Sequence, residues 1–276
     1  MPLATGRELL AAAEAGGYAV PGFNVSNIEL ALGVLDAAEE RRSPIMLQFN
    51  RSNYEHFGGL AIAAATARAL AEQAHVPVAV HLDHGDSVAT VRAAVQAGFT
   101  SLMFDGSTTP LERNLRDTRE AYAIALEAGL ALEAELGHVG GREPGVATSE
   151  SVLTEPATAR RFVEETLVDS LAVSVGTAHG LAGSVRLDLI TELRLATRQL
   201  PLVLHGGSGV TPADLTAAVR VGIRKVNIST EIHAAFVRGL GEVRGNDPRP
   251  ALRAARAAVA EAAAQRMDLL GSSRRA

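Results

Sequence analysis

The residues best suited to chemistry in this 276-residue chain stand at the carboxyl ends of short apolar runs. His81-Leu82-Asp83-His84 closes one run, Asp105 follows the next, and Glu133-Ala134-Glu135 lies in a third. Farther along come Gly176-Thr177-Ala178-His179-Gly180, His205-Gly206-Gly207-Ser208-Gly209 and Asn227-Ile228-Ser229-Thr230. Near the start, Asn24 ends one run and Gln48 and Asn50 end another. Neutral imidazoles bind Zn²⁺ well, and three of them, His84, His179 and His205, leave a coordination position open for substrate. No H-x-x-x-H spacing brings them together locally, so their convergence depends on the fold. Asp83, beside His84, is the first candidate for a general acid/base. Asp105 and Glu135 suit a second cation or the orientation of the ligands of the first. His81 reads as a support to the ligands, His56, His75 and His233 as surface or helix residues, and His138 as a loop residue.

Composition narrows the classes. Lys and Arg total 26 against 31 Asp and Glu, a net charge of −5, which argues against the basic stripe of a nucleic-acid surface. The absence of cysteine removes disulfides, thiolate metal sites and a cysteine nucleophile, and fits a reducing cytoplasm. No run of about 18 apolar residues predicts a membrane span, and residues 1–10 lack the apolar centre of a signal peptide. Apolar residues make up 47% and aromatics 4%, so the core is expected to be large and aliphatic.

The elements that must position these residues alternate in kind. Continuous apolar runs at 18–23, 44–49, 76–82, 101–104, 131–136, 170–175, 201–204 and 225–228 read as strands buried on both faces of a parallel sheet. Helical patterns with ordinary start and stop residues lie between them, at 27–41, 58–74, 87–97, 110–128, 154–166, 188–199 and 211–221. Eight such pairs predict an α/β fold, a single (β/α)₈ TIM barrel over residues 1–276. A helix at 5–15 would cover its floor, and a helix at 250–269 would extend the outer ring. Barrel enzymes build their sites at the carboxyl ends of the strands, where every run here carries polar residues. Unpaired charges at the mouth of a core cost several kcal/mol each, so packing alone does not account for the set. Gly206, Gly207 and Ser208 after strand seven, with 227–230 after strand eight, suit a phosphate held by backbone N–H groups and helix N-termini.

Taken in order, these motifs resemble the class II, zinc-dependent ketose-bisphosphate aldolases, with Pro21-Gly22-Phe23-Asn24-Val25 and Asp247-Pro248-Arg249 extending the match over nearly the whole chain. The resemblance implies a catalytic Zn²⁺ on His84, His179 and His205. A second divalent or a monovalent cation is a further possibility, and Asp105 and Glu135 match the positions that hold a second or displaced metal. It implies that Asp83 exchanges the C4 hydroxyl proton of a phosphorylated ketose cleaved to dihydroxyacetone phosphate and an aldehyde. It places Gly180, Gly206, Gly207, Ser208, Asn227, Ile228, Ser229 and Thr230 around the phosphate, and Asn24 and Asn50 beside the substrate. Glu143, in Gly140-Gly141-Arg142-Glu143, matches a loop glutamate that handles the enediolate proton. Lys225 is left structural. A cytoplasmic homo-oligomer, dimer or tetramer, is also implied.

The chain departs from the family's pattern around the substrate. A Tyr-Lys-Gly segment usually follows the strand-six His-Gly, but here the sequence is Leu181-Ala182-Gly183. Asn50-Arg51 stands where a small serine is usual, and Arg51 could meet an anionic group or face solvent. The metal set is intact, so aldol chemistry is expected more firmly than any one sugar. Fructose 1,6-bisphosphate, tagatose 1,6-bisphosphate and a phosphorylated keto-deoxy acid are all candidates. The alternative is a metal-dependent hydrolase or another lyase on the same histidines.

Overall fold

The computed structural model describes residues 2–141, 151–179 and 183–276. Among them, eight parallel strands close into a barrel in chain order, β8 pairing back onto β1. They are β1 (Val20–Asn24), β2 (Ile45–Phe49), β3 (Val78–Gly85), β4 (Ser101–Phe104), β5 (Leu132–Leu136), β6 (Ser170–Val173), β7 (Leu202–Leu204) and β8 (Ile223–Ile228). The described helices are α1 (Gly6–Gly16), α2 (Ile28–Arg41), α3 (Arg51–His56), α4 (Leu60–Gln73), α5 (Val88–Ala97), α6 (Leu111–Glu127), α7 (Pro156–Thr166), α8 (Leu187–Ala196), α9 (Pro212–Val221), α10 (Thr230–Gly241) and α11 (Pro248–Leu269). The expected barrel is therefore present. α3 lacks a sequence counterpart because its six residues carry no apolar period.

Local chemistry starts the helices. Side chains of Asn27, Ser87, Thr211 and Asp247 accept hydrogen bonds from first-turn N–H groups, satisfying donors the helix cannot. Thr5 and Glu8 form a reciprocal capping box on α1.

The period of two in each strand separates two environments. Outward residues such as Ile45, Leu47, Val80, Leu82, Leu102, Leu171, Val226 and Ile228 share one aliphatic core with the helices. The barrel interior is layered. At the floor, Val20, Met46 and Ala79 pack with Leu9, Leu10 and Ala13 of α1, as expected of a floor helix. Met103, Ala172 and Val203 form a small apolar cluster inside. The interior also holds Gln48, His81, Asp83, Glu133, Glu135, Lys225 and Asn227, all buried. α11 lies against α2, with Arg256 on Asp36 and Arg41 on Asp268.

Candidate metal centre and active site

Strict alternation would turn His84 away from the mouth, because its neighbour Asp83 faces inward. A register shift between β3 and β4 at Leu82–Gly85 prevents this. The bulge supplies an extra residue, and His84 takes it up with a φ of +48°, a conformation uncommon for a non-glycine residue and found at functional sites. Asp83 and His84 can then serve one site.

The three expected histidines meet. Their ring centroids are 4.7 Å apart for His84 and His205, 5.6 Å for His84 and His179, and 5.9 Å for His179 and His205. A nitrogen from each lies within 4.8 Å of the others. The sources differ: His205 directly follows β7, whereas His179 is six residues beyond β6. His179 is held instead by the segment after β5. Its N–H donates to the Gly140 carbonyl at 2.9 Å, and Gly141 forms a parallel bridge with it. Gly141 has a φ of +134°, and a Cβ there would lie 2.4 Å from the His179 carbonyl oxygen.

Hydrogen bonds orient the rings. His84 Nδ1 lies 2.7 Å from Asp105 Oδ2, which makes Nε2 the nitrogen carrying the lone pair. His205 Nε2 lies 3.0 Å from Glu133 Oε1, so its lone pair is on Nδ1. The buried His205 Nδ1 and Glu135 Oε2 have no hydrogen-bond partner among the described residues and lie 3.4 Å apart. Buried polar atoms are rarely left so. A neutral imidazole nitrogen and carboxylate oxygens facing a common space fit a divalent metal, and carboxylates behind the rings are its usual support. His84, Asp105 and Glu135 form a second cluster that shares His84.

Charge follows this geometry. Burial alone would raise the Asp83 carboxyl, but the His84 and His205 imidazoles and Lys225 outweigh it and hold it below the ordinary range. Asp105 is likewise held low against its burial by its contact with His84. Glu135 goes the other way, raised by burial and by the adjacent Asp105 charge. Burial, with Lys225 beside it, drives His81 down to about 3, and burial lowers His205.

Asp83 is fixed at both oxygens. Asn24 Nδ2 donates to Oδ2 at 2.7 Å, and Asn227 Nδ2 donates to Oδ1 at 3.0 Å. Asn24 is steadied by Gln48 at 3.4 Å, by Asn53 at 3.3 Å, and by His233 Nε2, which lies 3.0 Å from its carbonyl. A small pocket beside them is lined by Asn24, His179, Gly206, Ser208, Asn227, Ser229 and Thr230. Gly207–Gly209 forms a short 3-10 turn, and the Ser208 hydroxyl accepts from the N–H groups of Ser229 and Glu231 at 3.2 and 3.4 Å. That hydroxyl sits at the start of α10, the end at which a helix presents N–H donors, a place suited to a phosphate oxygen.

Other expected residues stand differently. Asn50 caps α3, its Oδ1 taking the Asn53 N–H and the Ser52 hydroxyl; Asn53 is the residue of that turn that reaches Asn24. Ile228 turns its side chain into the outer core and does not line the pocket. Arg51 pairs with Glu55 at 2.8 Å and Asp86 at 3.0 Å on the surface. Glu143 and Gly180 lie outside the described residues. Sequence reasoning assigned no role in the site to Glu133, Asn53 or Gly141, and read His233 as a surface or helix residue; it lies on α10. The inward alternation of Glu133 with Glu135 was the available signal for the first.

Comparison with known proteins agrees with this geometry. The model of the class-II fructose-bisphosphate aldolase family matches residues 4–275. The chain is 40% identical to a fructose-bisphosphate aldolase of Thermus caldophilus, covering 99% of this chain and 100% of that one. It is 37% identical to a probable fructose-bisphosphate aldolase of Bacillus subtilis, covering 100% of both. Among solved structures, the YdjI aldolase of Escherichia coli K12 superposes with a TM-score of 0.89 at 36% identity over 99% of each chain. The chain belongs to the class II fructose-bisphosphate aldolase family.

Proposed function

We propose that this aldolase is a Zn²⁺-dependent aldehyde-lyase that reversibly cleaves a phosphorylated ketose to dihydroxyacetone phosphate and an aldehyde. The observation that carries the proposal is the meeting of His84, His179 and His205 beside Asp83, a buried carboxylate that accepts an amide hydrogen bond on each oxygen. A divalent ion on the three imidazoles would supply a Lewis acid that draws charge from the ketone oxygen. Asp83 accepts the C4 hydroxyl proton, the C3–C4 bond breaks, and C4 leaves as the aldehyde. The electron pair stays with the three-carbon half, which is completed by protonation at C3, the role the resemblance gives Glu143. Asn24 and Asn227 keep Asp83 aimed and ionised by donating to both oxygens. Gly206, Ser208, Ser229 and Thr230 take the phosphate at the start of α10. The resemblance adds two expectations, a homo-oligomer and a cytoplasmic location; among the described residues no helix is long and apolar enough to cross a membrane.

The test is release of dihydroxyacetone phosphate from fructose and tagatose bisphosphates and from a phosphorylated keto-deoxy acid, with EDTA and with restored Zn²⁺. Release abolished by EDTA and recovered with Zn²⁺ is expected, and the preferred substrate identifies the aldehyde. Liberation of inorganic phosphate without carbon–carbon cleavage would instead make the protein a hydrolase.

A further inference from the structure

Beneath the histidine cluster a chain of buried polar groups crosses the barrel. Lys225 Nζ donates to Glu133 Oε2 at 2.8 Å and lies 3.3 Å from His81 Nε2. The other nitrogen of His81, Nδ1, lies 2.7 Å from Ser101 Oγ. Glu133 Oε1, in turn, faces His205 Nε2 at 3.0 Å. Lys225 is 0% exposed, His81 1% and Glu133 3%, so water does not compete for these bonds.

The donor count fixes every proton in the chain. An ammonium only donates, so His81 Nε2 must accept and its Nδ1 must carry the proton given to Ser101. A carboxylate only accepts, so His205 Nε2 must carry its proton and Nδ1 its lone pair. We propose that Lys225 and Glu133 are positioning residues for the metal centre: together they lock His205 in the tautomer whose Nδ1 can bind a cation. Lys225 contributes by balancing the charge of the buried Glu133 carboxylate at 2.8 Å, so that a bare acceptor is kept facing His205. The inference rests on the metal reading above but is read out separately.

Two measurements test it. In metal-free, ¹⁵N-labelled protein, two-bond ¹H–¹⁵N correlation reports the His205 tautomer, with His205→Asn identifying the signals. Protonated Nε2 and bare Nδ1 are expected; a proton on Nδ1 would overturn the inference. The second measurement is Zn²⁺ affinity by chelator competition. In Glu133→Gln, Lys225 claims the carboxamide oxygen and the amide NH₂ faces His205 Nε2, which drives the ring proton to Nδ1. Zn²⁺ affinity should fall roughly 10- to 100-fold, the usual cost of losing such a support. In Glu133→Gln/Lys225→Met the oxygen is released to His205, and most of that affinity should return. Wild-type affinity in the single variant, or a double variant no better than the single, would overturn the proposal. A wild-type protein that bound no divalent ion would remove the metal reading, while the tautomer spectrum would still decide the hydrogen-bond lock.

Discussion

Replacing Gly141 by alanine tests whether a metal ligand is held by a segment from another strand. The added Cβ would stand 2.4 Å from the His179 carbonyl oxygen and 2.5 Å from its nitrogen. Both are backbone atoms, so no rotamer change relieves the contact. The φ of +134° adds strain for any side chain, on the order of 1–3 kcal/mol. Opening the bridge relieves both but gives up the His179 N–H···O=C Gly140 bond, worth about 0.5–1.5 kcal/mol. If roughly 1.4–2.8 kcal/mol of the total falls on His179, Zn²⁺ affinity drops about 10- to 100-fold. Chelator competition measures this, and urea unfolding of the metal-free forms measures stability. Gly129→Ala is the control, because its φ is +72° but nothing lies within 4 Å of the added Cβ. It should lose about 1–2 kcal/mol of stability with unchanged metal affinity. A Gly141→Ala protein that binds Zn²⁺ as wild type, or a Gly129→Ala protein that weakens equally, would refute the reasoning.

Asp83→Ala should lower the rate of carbon–carbon cleavage by at least about 10²–10⁴, the usual range for general acid/base catalysis, with metal content by elemental analysis unchanged; retained turnover would remove Asp83 from the reaction. Asp105 links stability to pH. Its folded carboxyl is held below the ordinary value, so its contribution is present above the unfolded value of about 3.9 and is lost as pH falls toward the folded one. Urea unfolding of metal-free protein below about pH 5 should therefore show a shallower pH slope in Asp105→Asn than in wild type, and parallel slopes would contradict the account.

The barrel was legible because strands buried on both faces leave an unmistakable trace, a continuous aliphatic run with polar residues at one end. The three histidines were legible for a related reason, since each follows such a run. What the runs concealed was the inner face. Glu133 and Lys225 lie within strands whose alternate residues are aliphatic, and only the period of two marks them as interior. The reach of β3 to Gly85, past the expected 76–82, comes from a bulge, a register event between two strands that a single strand's sequence does not encode. α3 has no apolar stripe, and its Asn50–Asn53 capping box was its only signal. His233 sits on a helix face that reads as surface until α10 is laid over the end of β1. Gly141 appears as an ordinary loop glycine, because its constraint comes from His179, 38 residues away.

The packing of α11 on α2 has a consequence for how the chain is made. Arg256 and Asp36 are separated by 220 residues along the sequence, and Gly33 is pressed against Val259 and the Arg256 carbonyl. Ser43 and Ser272 meet behind them, and Arg274 donates from its backbone to the Arg41 carbonyl. During synthesis, the face of α2 that meets α11 therefore waits for a further 220 residues before its partner exists. At roughly 5–20 residues per second that interval is on the order of ten seconds or more. Through that time the face of α2 that carries Gly33 and Asp36 stands uncovered. The seam between α2 and α11 thus makes synthesis through α11 a condition for covering that face of α2.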